Sequence, residues 1–346
     1  GSLFDPARIR LLDREGRRLP AQFMATAFWR DDSIKWCRCD VTLPVLAGAR
    51  EELVVEFGTE VPADAGAGLL DLSADADALT VVTGPLKAVL DKRRFRGLGT
   101  VWVDPTGTGR FDDTTLRFSA DRAGVVLLDD KGTAFTSAGT PPRRLTVEMN
   151  GPSVAIVKVE GDYADASGHP TMSYIARLTF RAGSSRVDLA WTHVNTCTQT
   201  EFTDITSLAL AGVVPAASNG DVFAPGAAAG AIEAIPSPVR LLQTYERTCT
   251  ANGASAGGPS GRAPGVARMR NPAGGVALVL HEFWEHWPKA LALEGDSLRI
   301  EWLPELPGPD FGRGLPHYLM VPFVEGKYRL KWGMSFTETV TLVGTF

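Results

Sequence analysis

Apolar and polar residues alternate along most of this chain, which is the period of a half-buried β-strand. The alternation is clearest in residues 174–180 and 186–192, and the segment Arg181–Ser185 between them contains a turn sequence, so the two runs predict a hairpin. Helical periodicity of comparable length is almost absent. Further candidate strands are residues 8–12, 33–41, 53–57, 80–82, 86–90, 101–103, 115–118, 125–128, 145–149 and 154–160.

The spacing of these runs predicts an all-β protein with two domains. Residues 1–62 form a small N-terminal β domain, residues 63–78 are rich in Ala, Asp and Gly and form a linker, and residues 79–346 form a large antiparallel β-sandwich. Two stretches, 215–230 and 250–264, consist mostly of Ala, Gly, Ser and Pro. We interpret both stretches as surface loops with little to bury.

Composition excludes several classes of function. The net charge of -5 and the lack of a basic stripe argue against a nucleic-acid partner, and no apolar run is long enough for a membrane span. Cys37 and Cys39 share one face of a predicted strand and are expected to be buried thiols, while Cys197 and Cys249 remain a candidate pair. No cofactor is predicted, although residues 104–113 faintly resemble a calcium loop; a tight hairpin is the favoured interpretation.

The most distinctive stretch is His281–Leu303, because its first nine residues contain two Trp, two His, a Lys and a Pro. Flat aromatic side chains beside hydrogen-bonding groups suit a sugar ring, which has apolar faces and polar edges. Phe283, Trp284 and Trp287 are therefore candidate sugar-binding residues. The alternative is that these aromatic residues belong to the core and that the two His residues are simply solvated.

Titratable residues near this stretch fit a β-elimination that cleaves a uronate polymer. That reaction needs a base for the proton next to the carboxylate, a cation for the developing negative charge and an acid for the leaving oxygen. The candidate catalytic residues are Tyr245, Arg247, His281, His286, Lys289, His317 and Tyr318. No metal site is predicted.

Alternatives to elimination remain open. Each candidate residue has a purely structural role as its alternative, and Tyr245 and Arg247 share a face only if that segment is extended. Glycoside hydrolysis would use a pair among the acidic residues Glu282, Glu285, Glu301 and Glu305. A non-catalytic glycan-binding module would bind sugar through Trp284 and Trp287 without turnover.

Three motifs resemble a known family. Leu19-Pro20-Ala21-Gln22 precedes the run Trp29–Trp36, residues 177–192 form the predicted hairpin, and Phe283–Leu291 reads FWEHWPKAL. In combination they resemble the exo-rhamnogalacturonan lyase-like (YetA-like) family, with Asp32 at a turn position where that family usually has Gly.

The resemblance implies a small N-terminal barrel of the RIFT type, a supersandwich second domain and β-elimination on pectin-like acidic polysaccharide. It also implies a bacterial protein that is secreted or periplasmic, with the cytoplasm as the alternative. Residues 331–346 resemble the segment that leads into the family's third domain, an α/α toroid, so we expect that domain to follow in the full protein. Self-association through an apolar patch near the C-terminal strand is a further expectation.

Overall fold

The computed structural model describes residues 1–43, 46–63, 70–228, 230–256, 258–315 and 323–345. Within these ranges the regular structure is β, apart from one short 3-10 helix at Pro6–Arg8. The predicted all-β class is therefore confirmed. No helix in the described residues is both long and apolar enough to span a bilayer.

The first five strands form two small sheets. Their bounds are β1 Ile9–Leu12, β2 Arg18–Leu19, β3 Ala21–Phe28, β4 Ile34–Val41 and β5 Val54–Phe57. One sheet has the order β2-β1-β5, and the other is the hairpin β3-β4. Few side chains are buried here; the apolar ones are Ile9, Leu11 and Val61.

The remaining strands form a two-sheet antiparallel β-sandwich. The bounds of the first eleven are β6 Asp71–Ala74, β7 Ala78–Val82, β8 Leu86–Asp91, β9 Thr100–Val103, β10 Leu116–Asp129, β11 Ala134–Thr136, β12 Arg144–Asn150, β13 Val154–Ala164, β14 Pro170–Arg181, β15 Arg186–Val194 and β16 Phe202–Val213. The bounds of the others are β17 Asn219–Pro225, β18 Ile232–Pro236, β19 Val239–Tyr245, β20 Thr248–Ala251, β21 Ala254–Ser255, β22 Val266–Asn271, β23 Gly274–Leu280, β24 Lys289–Glu294, β25 Ser297–Leu303, β26 Phe323–Val324, β27 Lys327–Lys331 and β28 Ser335–Thr345.

Hydrogen bonding arranges these strands in two large sheets. One has the order β18-β17-β22-β23-β28-β15-β14-β13-β12. The other has the order β6-β7-β8-β9-β10-β16-β25-β24-β19-β20-β21, and β27 and β26 extend from the first residues of β16. Strand β11 pairs with both β10 and β13, so it joins the two sheets at one corner.

The inward faces of the two sheets form one continuous core. Alternate residues of the central strands are fully buried, as the alternation in the sequence predicts. Trp191 on β15 and Trp302 on β25 are both 0% exposed, and their rings lie 5.8 Å apart, tilted against each other. Such large side chains contribute most of the apolar area that stabilises a sandwich core.

The buried side-chain amide of Gln22 links the N-terminal sheets to the sandwich. Oε1 of Gln22 accepts hydrogen bonds from the backbone N–H groups of Ser153, at 3.1 Å, and Val154, at 2.9 Å. A side chain at Gly151 would collide with Gln22, because a Cβ there would lie 2.1 Å from the Gln22 side chain. The Pro-x-Gln part of the N-terminal motif therefore has a structural role at this junction.

The second half of that motif is a turn. Asp31 accepts hydrogen bonds from the backbone N–H and the hydroxyl of Ser33, and Asp32 has a φ of 61°. Gly adopts this left-handed conformation without strain and Asp tolerates it better than most residues, so the Asp at this position is compatible with the turn.

Several boundaries differ from the sequence prediction. Residues 71–74, assigned to the linker, form β6 and pair with β7, so the sandwich sheet begins earlier than residue 79. Residues 219–225, assigned to a loop, form β17, where Val222 and Ala224 are buried. Small residues fit there because the strand packs closely: a Cβ at Gly220 would lie 3.1 Å from Leu293.

Two expectations about exposure are also corrected. All four Cys are free, and Cys37 and Cys39 are exposed rather than buried, because both lie on an exposed part of strand β4. Strand β28 lies between β15 and β23, so the C-terminal strand is central and does not form an apolar edge. Self-association of the chain stays a prediction.

Candidate functional site

The distinctive stretch identified in the sequence is a loop between β23 and β24. Phe283 anchors it, because its ring is 1% exposed and packs against Gly265, where a Cβ would lie 2.5 Å away from Phe283. The backbone N–H of His286 donates to the carbonyl of Glu282 at 2.8 Å and closes one turn. With Phe283 in the core, the loop holds Trp287 and His286 at the surface of the sandwich.

A pocket of about 300 Å³ opens beside this loop. Its residues come from the loop, from β24 and β25, from β26 and β27, and from β28: Glu285, His286, Trp287, Pro288, Lys289, Leu303, Phe323, Tyr328, Phe336, Thr337 and Glu338. Rings form much of the wall; those of Trp287 and Phe323 are stacked 6.1 Å apart, and those of Phe323 and Tyr328 meet edge to face. The volume is at the lower end of the range of about 300–1,000 Å³ for small-molecule sites.

A buried ion pair forms the floor of the pocket. Lys289 Nζ lies 2.6 Å from Glu338 Oε1, and the two side chains are 1% and 6% exposed. The Lys289 ammonium also points at the carbonyl of Trp302, at 3.5 Å. Since an ammonium has three hydrogens, these two contacts leave one hydrogen without a partner among the described residues. Two charges in a protein interior attract strongly, but their loss of hydration offsets much of that attraction, so such a pair is weak evidence for a purely stabilising role.

A second polar group lies beneath the floor. Trp191 Nε1 donates to Tyr163 Oη at 2.7 Å, and Tyr163 Oη lies 2.7 Å from Nδ1 of His193. When the Tyr163 hydroxyl donates to Nδ1, a neutral His193 imidazole carries its hydrogen on Nε2. His193 Nε2 and Trp302 Nε1 are buried and have no hydrogen-bond partner among the described residues. The His193 ring packs 4.7 Å from the ring of Phe336, which lines the pocket.

Burial keeps this group neutral. Burial lowers the pKa of His193 well below its usual range, and the nearby charge of Lys289 lowers it further. Burial also raises the pKa of Tyr163 well above its usual range. The charges close to the floor are therefore those of Lys289 and Glu338, with neutral hydrogen-bonding groups behind them.

The candidate His281 lies on the other face of β28. Its Nε2 contacts the hydroxyl of Thr341 at 2.9 Å, and that hydroxyl donates to Asp188 at 2.6 Å. Asp188 also binds Arg181 and Arg186. Burial acts to raise the pKa of Asp188, but the hydrogen bonds from Thr341, Arg186 and Arg181 together hold that pKa below its usual value. His281 and Lys289 therefore belong to different clusters.

Tyr245 and Arg247 do not share a face, because the segment that contains them is not extended. Strand β19 ends at Tyr245, and residues 246–247 form the turn into β20. Tyr245 packs against Phe311, with ring centroids 4.9 Å apart, and against Trp287, at 5.2 Å, so it supports the pocket wall. The Arg247 side chain is 71% exposed and lies near Glu246.

The other candidates have varied surroundings. Arg262, which pairs with Glu246, lies over the ring of Trp284 at 4.1 Å, so one face of that ring is already occupied. His286 is 43% exposed and its Nδ1 lies 3.3 Å from Glu282. His317 and Tyr318 lie outside the described residues. Of the predicted residues that the structure describes, His286, Lys289 and Trp287 line the pocket together.

The acidic residues considered for hydrolysis are also separated. Glu301 is held by Arg240, at 2.7 Å, and by Arg299, while Glu282 contacts His286. Of the four acidic residues considered, only Glu285 is among the residues that line the pocket.

Sequence reasoning missed Glu338 and His193 as site residues. A signal for both was present, because each titratable residue alternates with core residues of its strand and so points to the same face. Glu338 lies two residues after Phe336 and two before Val340, and His193 lies two residues after Trp191. A titratable residue on the core face of a strand must be paired or functional, because burying it alone is unfavourable.

The residues 104–113 form a self-contained turn. Asp104 accepts hydrogen bonds from the backbone and side chain of Thr106, from the Thr108 hydroxyl and from the backbone N–H groups of Gly109 and Arg110. Hydrogen bonds from the loop therefore occupy both carboxylate oxygens. In the part of the chain that the structure describes, no cluster of three or more His, Cys, Asp or Glu residues could hold a metal ion.

Comparison with known proteins gives one relative in sequence. The chain is 25% identical to the uncharacterized protein YetA of Bacillus subtilis over 198 residues, which is 56% of this chain and 22% of YetA. The chain therefore spans about a fifth of the length of that relative. No protein-family model matches the chain.

Solved structures show only distant similarity. A TPR-domain containing protein from Parabacteroides distasonis has a TM-score of 0.45 at 9% identity, covering 78% of this chain and 47% of that protein. An alpha-galactosidase, AgaA, from Geobacillus stearothermophilus has a TM-score of 0.41 at 11% identity, covering 78% and 40%. A galactose mutarotase related enzyme from Lactobacillus acidophilus has a TM-score of 0.36 at 9% identity, covering 80% and 97%. All three TM-scores are below 0.5, so we base no conclusion on them.

Proposed function

We propose that this chain is carbohydrate-active and that its pocket binds one ring of an acidic polysaccharide, which it cleaves by β-elimination. The observation that carries the proposal is the Lys289–Glu338 pair on the floor of an aromatic-walled pocket. Trp287 and Phe323 offer apolar surfaces to the faces of a sugar ring. The floor offers a donor and an acceptor to its polar edges.

The chemistry follows from the charges of the pair. Glu338 accepts the proton on the carbon next to the uronate carboxyl group, and the electrons of that C–H bond form a double bond as the bond to the leaving oxygen breaks. The half-exposed His286 supplies a proton to the leaving oxygen. Protonation of Glu338 removes its negative charge, so Lys289 becomes uncompensated when negative charge develops on the substrate carboxyl group.

Hydrolysis is the second candidate, because two carboxyl groups, Glu285 at the rim and Glu338 on the floor, line the same pocket. A glycosidase places two carboxyl groups about 5–10 Å apart across the scissile bond. In this alternative Glu338 acts as base or nucleophile and Glu285 as acid, and no unsaturated sugar is formed.

One experiment separates these alternatives. The chain is incubated with a panel of uronate polysaccharides, including rhamnogalacturonan, while the ultraviolet absorbance of unsaturated uronate and the release of reducing ends are followed together. Elimination predicts a rise in both, and the double variant Lys289→Met/Glu338→Gln is expected to abolish both. Reducing ends without absorbance would favour hydrolysis. Binding without either product would indicate a non-catalytic glycan-binding module and would contradict the proposed catalysis.

A further inference from the structure

A second concave surface, separate from the pocket, lies at the loop between β8 and β9. This groove has a volume of about 480 Å³, and its charged residues are Asp77, Asp91, Arg93, Arg94 and Arg96. The loop reads Lys92-Arg93-Arg94-Phe95-Arg96, so four of its five residues are basic. The groove and the pocket share no lining residue.

The loop is fixed in place by its own contacts. Phe95 is fully buried, and its ring stacks on Trp191 at 5.6 Å and on Tyr174 at 5.9 Å. Asp91 Oδ1 accepts hydrogen bonds from the backbone N–H groups of Arg93 and Arg94, both at 2.8 Å. A loop that is already ordered loses little conformational entropy when it binds a ligand.

The guanidinium groups of the groove are only partly paired. Arg93 pairs with Asp77 at 2.5 Å, and Arg96 lies 3.7 Å from Asp91. The guanidinium of Arg94 has no partner among the described residues, and Nε of Arg96 is buried without one. Three cations against two carboxylates leave a local excess of positive charge on a chain whose net charge is -5.

Among the described residues that line the pocket, neither basic side chain is without an acidic neighbour. Lys289 is balanced by Glu338, and His286 contacts Glu282. A polymer with a carboxylate on many of its sugars therefore needs another positive surface, because the net charge of the chain repels it. The planar guanidinium donors of Arg suit a carboxylate in geometry as well as charge.

We propose that the Arg93–Arg94–Arg96 groove is a second binding site of this chain, distinct from the pocket, which takes a carboxylate-bearing segment of an acidic polysaccharide. The choice of polymer rests on the proposed function, whereas the groove and its charge do not. Nucleic acid is the less suitable polyanion, because the lining of the groove contains no aromatic side chain on which a base would stack.

The test compares Arg94→Ala and Arg94→Glu with the wild-type chain in titrations with de-esterified polygalacturonate, a neutral galactan and single-stranded DNA. Arg14→Ala is the matched control, since Arg14 is an exposed residue of a turn in the N-terminal sheets. We expect Arg94→Ala to weaken polygalacturonate binding about three- to tenfold, and Arg94→Glu to weaken it further, because one charge-assisted contact is lost and then reversed. The control and the turnover of short oligosaccharides in the pocket are expected to stay unchanged.

The pocket variant Lys289→Met/Glu338→Gln separates this inference from the proposed function. If only that variant loses affinity, the groove proposal is overturned and the pocket stands. If only the Arg94 variants lose affinity, the groove stands and the pocket proposal fails. Equal losses for polygalacturonate and DNA, or wild-type affinity in Arg94→Glu, would contradict the groove as a site for acidic sugars.

Discussion

The two faces of strand β28 carry two ion-pair clusters with opposite properties. On the inner face, Glu338 pairs with Lys289 at the floor of a pocket, and a donor of Lys289 remains available. On the outer face, Thr341 links His281 to Asp188, whose oxygens bind Thr341, Arg181 and Arg186. Both carboxylate oxygens of Asp188 therefore have partners within the protein. This difference is the basis of our proposal that the inner cluster binds a ligand, whereas the outer cluster holds strands together.

The largest expected effect comes from breaking the inner pair. Glu338→Gln leaves the Lys289 ammonium buried without a counter-charge, which typically costs about 3–5 kcal/mol of unfolding free energy. Turnover is expected to fall at least about 100-fold, as for the loss of a general base. Urea unfolding and the ultraviolet assay measure the two effects.

The double variant Lys289→Met/Glu338→Gln is the control for folding. It removes both charges and keeps similar side-chain volumes, so most of the lost stability should return while turnover stays absent. A double variant that regains activity would show that the pair is purely structural.

The buried His193, which lies behind the pocket floor, is expected to lower the free energy of unfolding in acid. The folded protein keeps His193 neutral, because its pKa is well below the usual value of 6.5, whereas the unfolded chain binds a proton below that pH. Stability therefore falls as the pH drops through about 6.5, by about 1.4 kcal/mol per pH unit for this one group. His193→Gln, which keeps an acceptor for Tyr163, should flatten the pH dependence of urea unfolding between about pH 6.5 and 5. An unchanged slope would mean that His193 takes up a proton in the folded protein.

A substitution in the outer cluster is expected to change stability and to leave turnover unchanged. Asp188→Asn weakens the hydrogen bonds from two Arg and one Thr on a side chain that is 15% exposed, so a loss of about 1–2 kcal/mol is expected. Turnover should remain within about twofold of wild type, because no residue of this cluster lines the pocket. A fall in turnover without a change in stability would move the active site to the outer face.

The smallest effect is expected for His281→Ala. His281 contributes one hydrogen bond to Thr341, and its loss should cost about 0.5–1.5 kcal/mol and leave turnover unchanged. Thermal unfolding and the oligosaccharide assay measure this on the same preparation.

Much of the fold could be predicted from the sequence, because strand period and turn residues are local properties. The hairpin over residues 174–192 is found as β14 and β15, which are Pro170–Arg181 and Arg186–Val194. Strand β17 was missed, because its small residues resemble a loop and its burial depends on Leu293, which is distant in sequence.

The site could be predicted only in part, for a similar reason. Residues 281–291 are adjacent in the chain, but β28 separates His281 from Lys289, and no local pattern shows which face each side chain reaches. Glu338 lies about 50 residues beyond Lys289 on a strand of the other sheet, and only the packing of the two sheets brings them together. The turn at residues 246–247 likewise separates Tyr245 from Arg247.

The most direct test of the central claim is a calorimetric titration of one acidic oligosaccharide into two double variants. Lys289→Met/Glu338→Gln removes the inner cluster, and His281→Ala/Asp188→Asn removes the outer one. We predict that the inner variant loses at least about tenfold in affinity, or about 1.4 kcal/mol, and that the outer variant binds like wild type. Loss of affinity in the outer variant, with binding retained in the inner one, would contradict the assignment of the site to the inner face of β28.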